Sequence, residues 1–193
     1  IDSWSARLSW TPAPNWSAQI SAGRLHHPEA AESGDVLRST ASLAYNRPFG
    51  RGHWATSLIW GRNHKTQSKQ NTNSYLLESV VQFRNVHYLT GRVELLDRDE
   101  LFNSDPAILA QLASAGLGTV FRIRAYTLGY TRDIPLLPRL RTALGGNFTL
   151  YGVPQAIEPY YGAHPAAFYL FLRLGLRHSA NSSGSGSMHH GGM

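Results

Sequence analysis

The residues best suited to bind a metal ion lie in two places. The first is the end of the chain, where Met188, His189, His190 and Met193 form a soft-ligand cluster. The second and weaker candidate is the imidazole pair His26-His27. Thioethers suit Cu(I), and imidazole suits copper or nickel. The Ser/Gly-rich stretch before the cluster leaves it unorganised, so ordering it on binding costs entropy. The tail therefore predicts weak copper binding at most. The alternatives are a disordered tail and an engineered remnant, and no other cofactor is expected.

Charged side chains alternate with apolar ones in several stretches. From Ala167 to Arg177, Phe168 and the leucines occupy even positions, while Arg173 and Arg177 occupy odd positions. A strand points successive side chains to opposite faces, so this stretch has one apolar face and one face carrying arginines. Charge inside a soluble sandwich is costly without pairing, whereas it is ordinary in a water-filled lumen. The candidate lumen-facing residues are Arg7, Arg38, Glu78, Arg84, Arg92, Glu94, Arg122, Arg124, Arg141 and Arg173.

Arginines outnumber carboxylates among these candidates. Their excess would give a lumen a positive field that favours anions. Glu78 and Glu94 have a second interpretation, as structural cross-strand bridges to arginines such as Arg92 and Arg84. We prefer that interpretation for the two carboxylates over a role in transport.

The alternating stretches must be strands if they are to position these side chains. They predict strands over residues 3–11, 15–25, 37–47, 52–62, 74–84, 87–98, 119–131, 139–150 and 166–177. The connections alternate short and long, which is typical of a transmembrane β-barrel with tight periplasmic turns and long outer loops. They include a two-residue turn at Asn85-Val86 and a long loop with a helix over Pro106–Ala115. The apolar parity of 119–131 changes midway, and a β-bulge near Ala125 would reconcile it.

Aromatic side chains lie mostly near the ends of these strands. The candidate membrane-interface aromatics are Trp4, Trp10, Trp16, Trp54, Trp60, Tyr75, Phe83 and Tyr130. In a membrane barrel such rings form girdles at the two membrane–water interfaces. The alternative is the core of a soluble sandwich. Girdles are favoured because Trp4 and Trp10 share a parity at a separation of roughly 20 Å along a strand.

Composition bears on several classes of function. The 193 residues include no cysteine, 42% of them are hydrophobic, and the mean hydropathy is −0.28. No apolar run is long enough to predict a transmembrane helix. The net charge is +6, but the arginines are spread over the strands, so no nucleic-acid partner is expected. No catalytic motif stands in its required context, so the chain is not predicted to be an enzyme.

The order of the connections also orients the chain. The last strand follows a long outer loop, so it descends and leaves the C-terminus in the periplasm. Bacterial barrels have even strand counts, so an odd count predicts that at least one strand is missing upstream and that the chain is a C-terminal fragment. We divide the chain into a barrel segment, 1–177, and a flexible Ser/Gly-rich tail with the His/Met cluster, 178–193.

The closing strand, Phe168–Leu174, and the repeated strand–turn–strand–loop order resemble Gram-negative outer-membrane β-barrel proteins of the porin-like kind. The resemblance covers residues 3–177. It implies an all-β, antiparallel up-and-down barrel in contact with outer-membrane lipid, with a pore for small, including anionic, solutes or a structural role. The family typically ends in an aromatic residue, whereas this chain continues into a polar tail. The alternative is a soluble ligand-binding β-barrel or sandwich, in which the apolar parity is a core.

Copper binding by the tail can be measured directly. If the terminal cluster supplies the ligands, the intact chain should take up copper weakly, and a chain cut after Arg177 should take up less. Titration of both chains with copper checks this expectation. Equal uptake by the two would remove the tail as a copper site.

Overall fold

Strand pairing follows chain order throughout the described part of the molecule. The computed structural model describes residues 2–28, 34–135 and 140–176. Its strands are β1 (Trp4–Ala13), β2 (Trp16–Leu25), β3 (Val36–Phe49), β4 (Gly52–Lys65), β5 (Asn71–Phe83), β6 (His87–Arg98), β7 (Phe121–Ile134), β8 (Leu140–Gly152) and β9 (Ala166–Leu176). The helices are α1 (Pro106–Ser114), α2 (Glu158–Tyr161) and a 3₁₀ turn (Gln155–Ile157).

Each strand pairs antiparallel with the next one along the chain, from β1 to β9. Within the described residues β1 and β9 do not pair, so they are the two edges of an open sheet. This all-β, up-and-down architecture is the predicted one. The division at residue 177 and the terminal His/Met cluster lie outside the described residues.

Short and long connections lie at opposite ends of the sheet, as predicted. Residues 14–15, 50–51 and 84–86 are at the short-loop end, and residues 26–28, 34–35, 66–70, 99–120 and 153–165 are at the long-loop end. The strands β3, β4 and β5 run further than their predicted bounds. Polar residues at the ends of β4 and β5 still pair across strands, as His64 does with Asn71. The change from apolar to polar residues therefore shows where the apolar part of the strand ends, while the strand itself continues.

The turn between β5 and β6 has three residues where two were predicted. Phe83 pairs with His87, which leaves residues 84–86 as the connection. Arg84 and Asn85 have φ values of 51° and 63°, so two successive left-handed residues reverse the chain. Arg84 consequently belongs to the turn, and its predicted place on the lumen-facing side of a strand is wrong.

The predicted β-bulge near Ala125 is also wrong. The register of β7 with β6 runs without a shift from Phe121 to Arg132, and its register with β8 is equally continuous. Phe121, Ala125 and Gly129 are buried on one face of β7, the face of its odd-numbered residues. The even-numbered residues point to the other face. The apparent change of parity arises because apolar residues at the start of β7 contact a loop core instead of continuing the apolar face.

That loop core is a compact apolar cluster at the long-loop end. Its buried members are Phe102, Leu112, Phe121 and Ile157. Asp105 caps α1 by accepting hydrogen bonds from the backbone N–H groups of Ala107 and Ile108, and Pro106 occupies the first turn. The predicted helix is therefore present. Most other large apolar side chains are exposed, including Leu8 at 65% and Leu170 at 72%.

The exposed apolar side chains should behave as lipid-facing ones. Leu58, midway along β4, lies opposite Leu43 and Leu77 and is 53% exposed. In lipid vesicles we expect Leu58→Arg to lower the free energy of unfolding by roughly 2–4 kcal/mol, because the guanidinium would lie near the bilayer midplane. Denaturant unfolding of vesicle-inserted protein measures this.

Ser57→Arg is the matched control for that substitution. Ser57 is the neighbouring residue, points to the other face and lies opposite Glu78, so an arginine there should change the unfolding free energy by only about 0.5 kcal/mol. Equal losses for the two substitutions would contradict the lipid-facing assignment.

Candidate functional site

The two faces of the sheet differ in their chemistry. We call one the apolar face: the even-numbered residues of β1 as far as Trp10, where its register shifts, and of β2, β4, β7, β8 and β9, and the odd-numbered residues of β3, β5 and β6, which the strand register places together. The remaining strand residues form the polar face. Nearly all the exposed large hydrophobic side chains of the strands lie on the apolar face. The exceptions on the polar face are Ile59, Tyr169 and Phe171.

All the aromatic residues singled out from the sequence lie on the apolar face. At the short-loop end, the rings of Trp16 and Trp54 both contact the ring of Tyr45, which is on the same face. The ring centroids are 4.6 Å apart for Trp16 and Tyr45 and 5.3 Å apart for Tyr45 and Trp54. The row continues across His87, whose ring stacks on Phe83 at 5.0 Å. Sequence reasoning missed His87, although its odd position in β6 is the signal that could have found it. The role of the predicted aromatic residues as girdles at the membrane interfaces stays a prediction.

Most of the predicted lumen-facing charges share the polar face. The residues placed there are Arg7, Arg38, Glu78, Arg92, Glu94, Arg141 and Arg173. Arg122 and Arg124 lie instead on the apolar face, at its long-loop end, because β7 has no bulge; their predicted lumen-facing placement is wrong. Arg98, which shares the predicted polar parity of Arg92 and Glu94, and Asp133 are also on the polar face, although neither is among the predicted lumen-facing candidates. Continuous parity along β6 and β7 would have found both.

A cross-strand ion-pair cluster occupies the middle of the polar face. Arg92 lies 2.9 Å from Glu94 and 3.7 Å from Glu78, which is its direct partner in the register. The predicted structural bridge is therefore present around Arg92, whereas Arg84 does not take part in it. One guanidinium pairs with two carboxylates, so the cluster carries a net negative charge on a face that is otherwise rich in arginine.

A second polar cluster lies toward the short-loop end. The Tyr88 hydroxyl donates to Asp133 Oδ2 at 3.1 Å, and Gln82 Nε2 donates to the Tyr88 oxygen at 3.0 Å. Arg173 reaches Asp133 Oδ1 at 3.4 Å and lies 6.0 Å from the centre of the Tyr88 ring. A cavity of about 460 Å³ opens beside these groups and is also lined by Arg141. This cavity could hold a small polar solute.

Two further cavities lie toward the long-loop end. One, of about 320 Å³, is lined by Arg38, Arg98 and Asn63 among others, and Arg38 Nε donates to Asn63 Oδ1 at 2.9 Å. Neither arginine forms an ion pair with a carboxylate of the described residues. The other, of about 240 Å³, is apolar and lies against the loop core beside Ile123 and Ile157. A cationic surface and an apolar surface thus lie at the same end of the sheet.

The predicted imidazole pair lies at the same end, just outside the strands. The rings of His26 and His27 meet edge to face, with centroids 4.3 Å apart, and Asp35 is beside them. The Arg24 guanidinium and the His26 ring both hydrogen-bond to Asp35 and hold the pKa of that carboxyl below its usual range. The carboxylate is therefore ionised at neutral pH. The terminal cluster of Met188, His189, His190 and Met193 lies outside the described residues.

One solved structure gives a comparison for the fold. The chain is similar to the crystal structure of Pseudomonas aeruginosa OccK11 (OpdR), an outer-membrane porin, with a TM-score of 0.51 at 15% sequence identity. The similarity covers 75% of this chain and 40% of the porin chain. No protein-family model matches the chain, and no curated protein sequence matches it. At this identity the likeness shows the fold, which is a porin-like sheet of antiparallel up-and-down strands.

The comparison supports the coarse level of the sequence predictions. At 15% identity it supports the predicted fold alone, and the outer-membrane location, the channel activity and the expectation that the chain is not an enzyme stay predictions. Among the described residues, the helices are too short to cross a bilayer.

The ion-pair cluster around Arg92 should behave as one energetic unit. Arg92→Ala leaves Glu78 and Glu94 side by side on neighbouring strands, so we expect it to lower the free energy of unfolding by about 1 kcal/mol, a modest value because the group is partly exposed. Adding Glu78→Gln and Glu94→Gln should restore most of the loss. Denaturant unfolding of the single, double and triple variants measures this, and additive losses would contradict the coupling.

Proposed function

We propose that this protein forms a channel across the bacterial outer membrane for small solutes, including anions. The observation that carries the proposal is the separation of one sheet into an apolar face and a polar face. A bilayer accommodates a sheet only if it closes into a barrel without free edges, with apolar side chains facing lipid and polar ones facing a water-filled interior. The channel therefore requires the edge strands β1 and β9 to be paired as well. In a soluble protein so large an exposed apolar surface would drive aggregation. The partners of the apolar face would then be outer-membrane lipids.

Arginines of the polar face favour anions as the solutes. Arg92 and Arg173 are compensated by carboxylates. Four others form no ion pair with a carboxylate of the described residues: Arg7, Arg38, Arg98 and Arg141. Guanidinium groups on the wall of a narrow aqueous channel raise the local concentration of anions and lower that of cations.

The placement of the loops suggests a direction for the channel. Long loops are typically outside and short turns in the periplasm, which puts the C-terminal end of β9 on the periplasmic side. The loop core, which includes Phe121 and Ile157, would then narrow the outer end of the channel. A solute entering from outside would meet the cavity lined by Arg38 and Arg98 before it reached Tyr88 and Arg141.

Ion conductance tests the channel, and ion selectivity tests the role of the arginines. The purified protein in planar bilayers under a KCl gradient should show step conductances and a reversal potential that indicates preference for chloride. The double substitution Arg38→Gln with Arg98→Gln should lower the chloride-to-potassium permeability ratio several-fold, and less so in high salt, because exposed charge is screened.

A matched pair of substitutions removes the same charge from the apolar face. Arg47→Gln with Arg132→Gln, at the short-loop end of that face, should leave the permeability ratio unchanged. No conductance in any preparation would reject the channel, and equal selectivity changes in the two double variants would reject the role of Arg38 and Arg98.

A further inference from the structure

Two imidazoles and a carboxylate meet where β2 ends and β3 begins. One ligand atom of His26, one of His27 and one of Asp35 all lie within 4.8 Å of one another, and His26 Nδ1 is 2.7 Å from Asp35 Oδ1. Ligand atoms around a tetrahedral ion with bonds of about 2.0–2.1 Å are roughly 3.3 Å apart. Small side-chain rotations would therefore bring the three groups to one ion.

The backbone organises this cluster. Successive side chains of a strand point to opposite faces, but His27 has a φ of 44°, a left-handed conformation that brings its ring beside that of His26. The His26 N–H donates to Ser3 Oγ at 3.0 Å, which fixes this residue against the chain just before β1. A costly backbone conformation that pairs two imidazoles is more often found where the pair has a use.

The backbone of Asp35 is anchored by a residue beside a third strand. The backbone oxygen of Asp35 accepts hydrogen bonds from both the N–H and the hydroxyl of Thr66, each at 2.9 Å, just beyond β4. The Asp35 side chain is only 11% exposed. The ligand groups are thus held by contacts with Ser3, just before β1, and with Thr66, just beyond β4.

We propose that His26, His27 and Asp35 bind a divalent transition-metal ion of the zinc type at the long-loop end of the sheet. Two imidazoles and one carboxylate suit Zn²⁺ better than Mg²⁺ or Ca²⁺, which prefer oxygen ligands alone. Three protein ligands leave one position for water or a solute group. The ion would take the place of the proton between His26 Nδ1 and Asp35 Oδ1. The proposal does not depend on the channel function.

Arg24 is the internal competitor of this ion. Its Nε donates to Asp35 Oδ2 at 2.6 Å, and its terminal nitrogen also pairs with that oxygen. The guanidinium therefore neutralises the carboxylate when no metal is bound, and a metal ion must share the carboxylate with it or displace it. The side chain of Arg24 is 54% exposed, so it has room to move away. This arrangement predicts that loss of the Arg24–Asp35 ion pair raises the affinity for the metal ion.

Calorimetric titration with Zn²⁺ tests the site in the full chain, purified in detergent. A background carrying His189→Ala and His190→Ala removes the terminal imidazoles. In that background we expect one saturable Zn²⁺ ion, bound at least about tenfold more weakly after His26→Ala or Asp35→Asn. Arg24→Gln should instead bind Zn²⁺ several-fold more tightly. His64→Ala, at the same end of the sheet and bonded to Asn71, is the matched control and should change nothing.

Chemical modification provides a second readout that needs no substitution in the site. Bound Zn²⁺ should protect His26 and His27 from diethylpyrocarbonate, while His53 and His87 in the strands keep their reactivity; peptide mass spectrometry reads each residue. Unchanged Zn²⁺ affinity after Asp35→Asn, a loss of affinity after Arg24→Gln, or absence of protection at His26 would overturn the proposal.

Discussion

Backbone hydrogen bonding and the two-residue period of a strand constrain everything else in this molecule. A strand in lipid must satisfy its N–H and C=O groups with neighbouring strands, because no water is available to do so. Continuous pairing from β1 to β9 meets that requirement for all but the two edges. Once the pairing is continuous, parity alone assigns each side chain to one face. The apolar face, the arginines of the polar face and the aromatic row all follow from this rule.

The same rule explains which parts of the fold could be predicted from the sequence. In β9 and β4 the alternation is regular, and the assignment of Leu172 and Trp54 to the apolar face needed only counting. In β7 it failed, since Phe121 and Ile123 are apolar for a different reason: they contact the loop core. A local pattern cannot distinguish an apolar residue that faces lipid from one that faces another part of the chain. The error then moved Arg122 and Arg124 to the wrong face.

The candidate site was predictable to the extent that its contacts are cross-strand neighbours. Glu78 and Arg92 are opposite each other in a hairpin whose register a short turn nearly fixes, so their pairing could be inferred. The contact of Tyr88 with Asp133 joins β6 and β7, which a long loop separates in the chain. The register of these two strands cannot be predicted from a local stretch of sequence. The contact between His26 and His27 depends on the left-handed conformation of His27 in a loop, which alternation does not describe.

In a bilayer, charged residues at both ends of the apolar face would fix the depth of the sheet. Along β7 they are Arg122 and Arg124 at the long-loop end, where Arg122 pairs with Asp97, and Arg132 at the opposite end. Eight residues from Arg124 to Arg132, at about 3.3 Å each and tilted by roughly 40°, span about 20 Å, so the Arg124 guanidinium would have to extend toward the interface to leave a lipid-facing band of about 25 Å. A vertical slip of two residues would immerse a guanidinium in hydrocarbon. In a bilayer of different thickness, the surrounding lipid would therefore have to stretch or compress to match the protein.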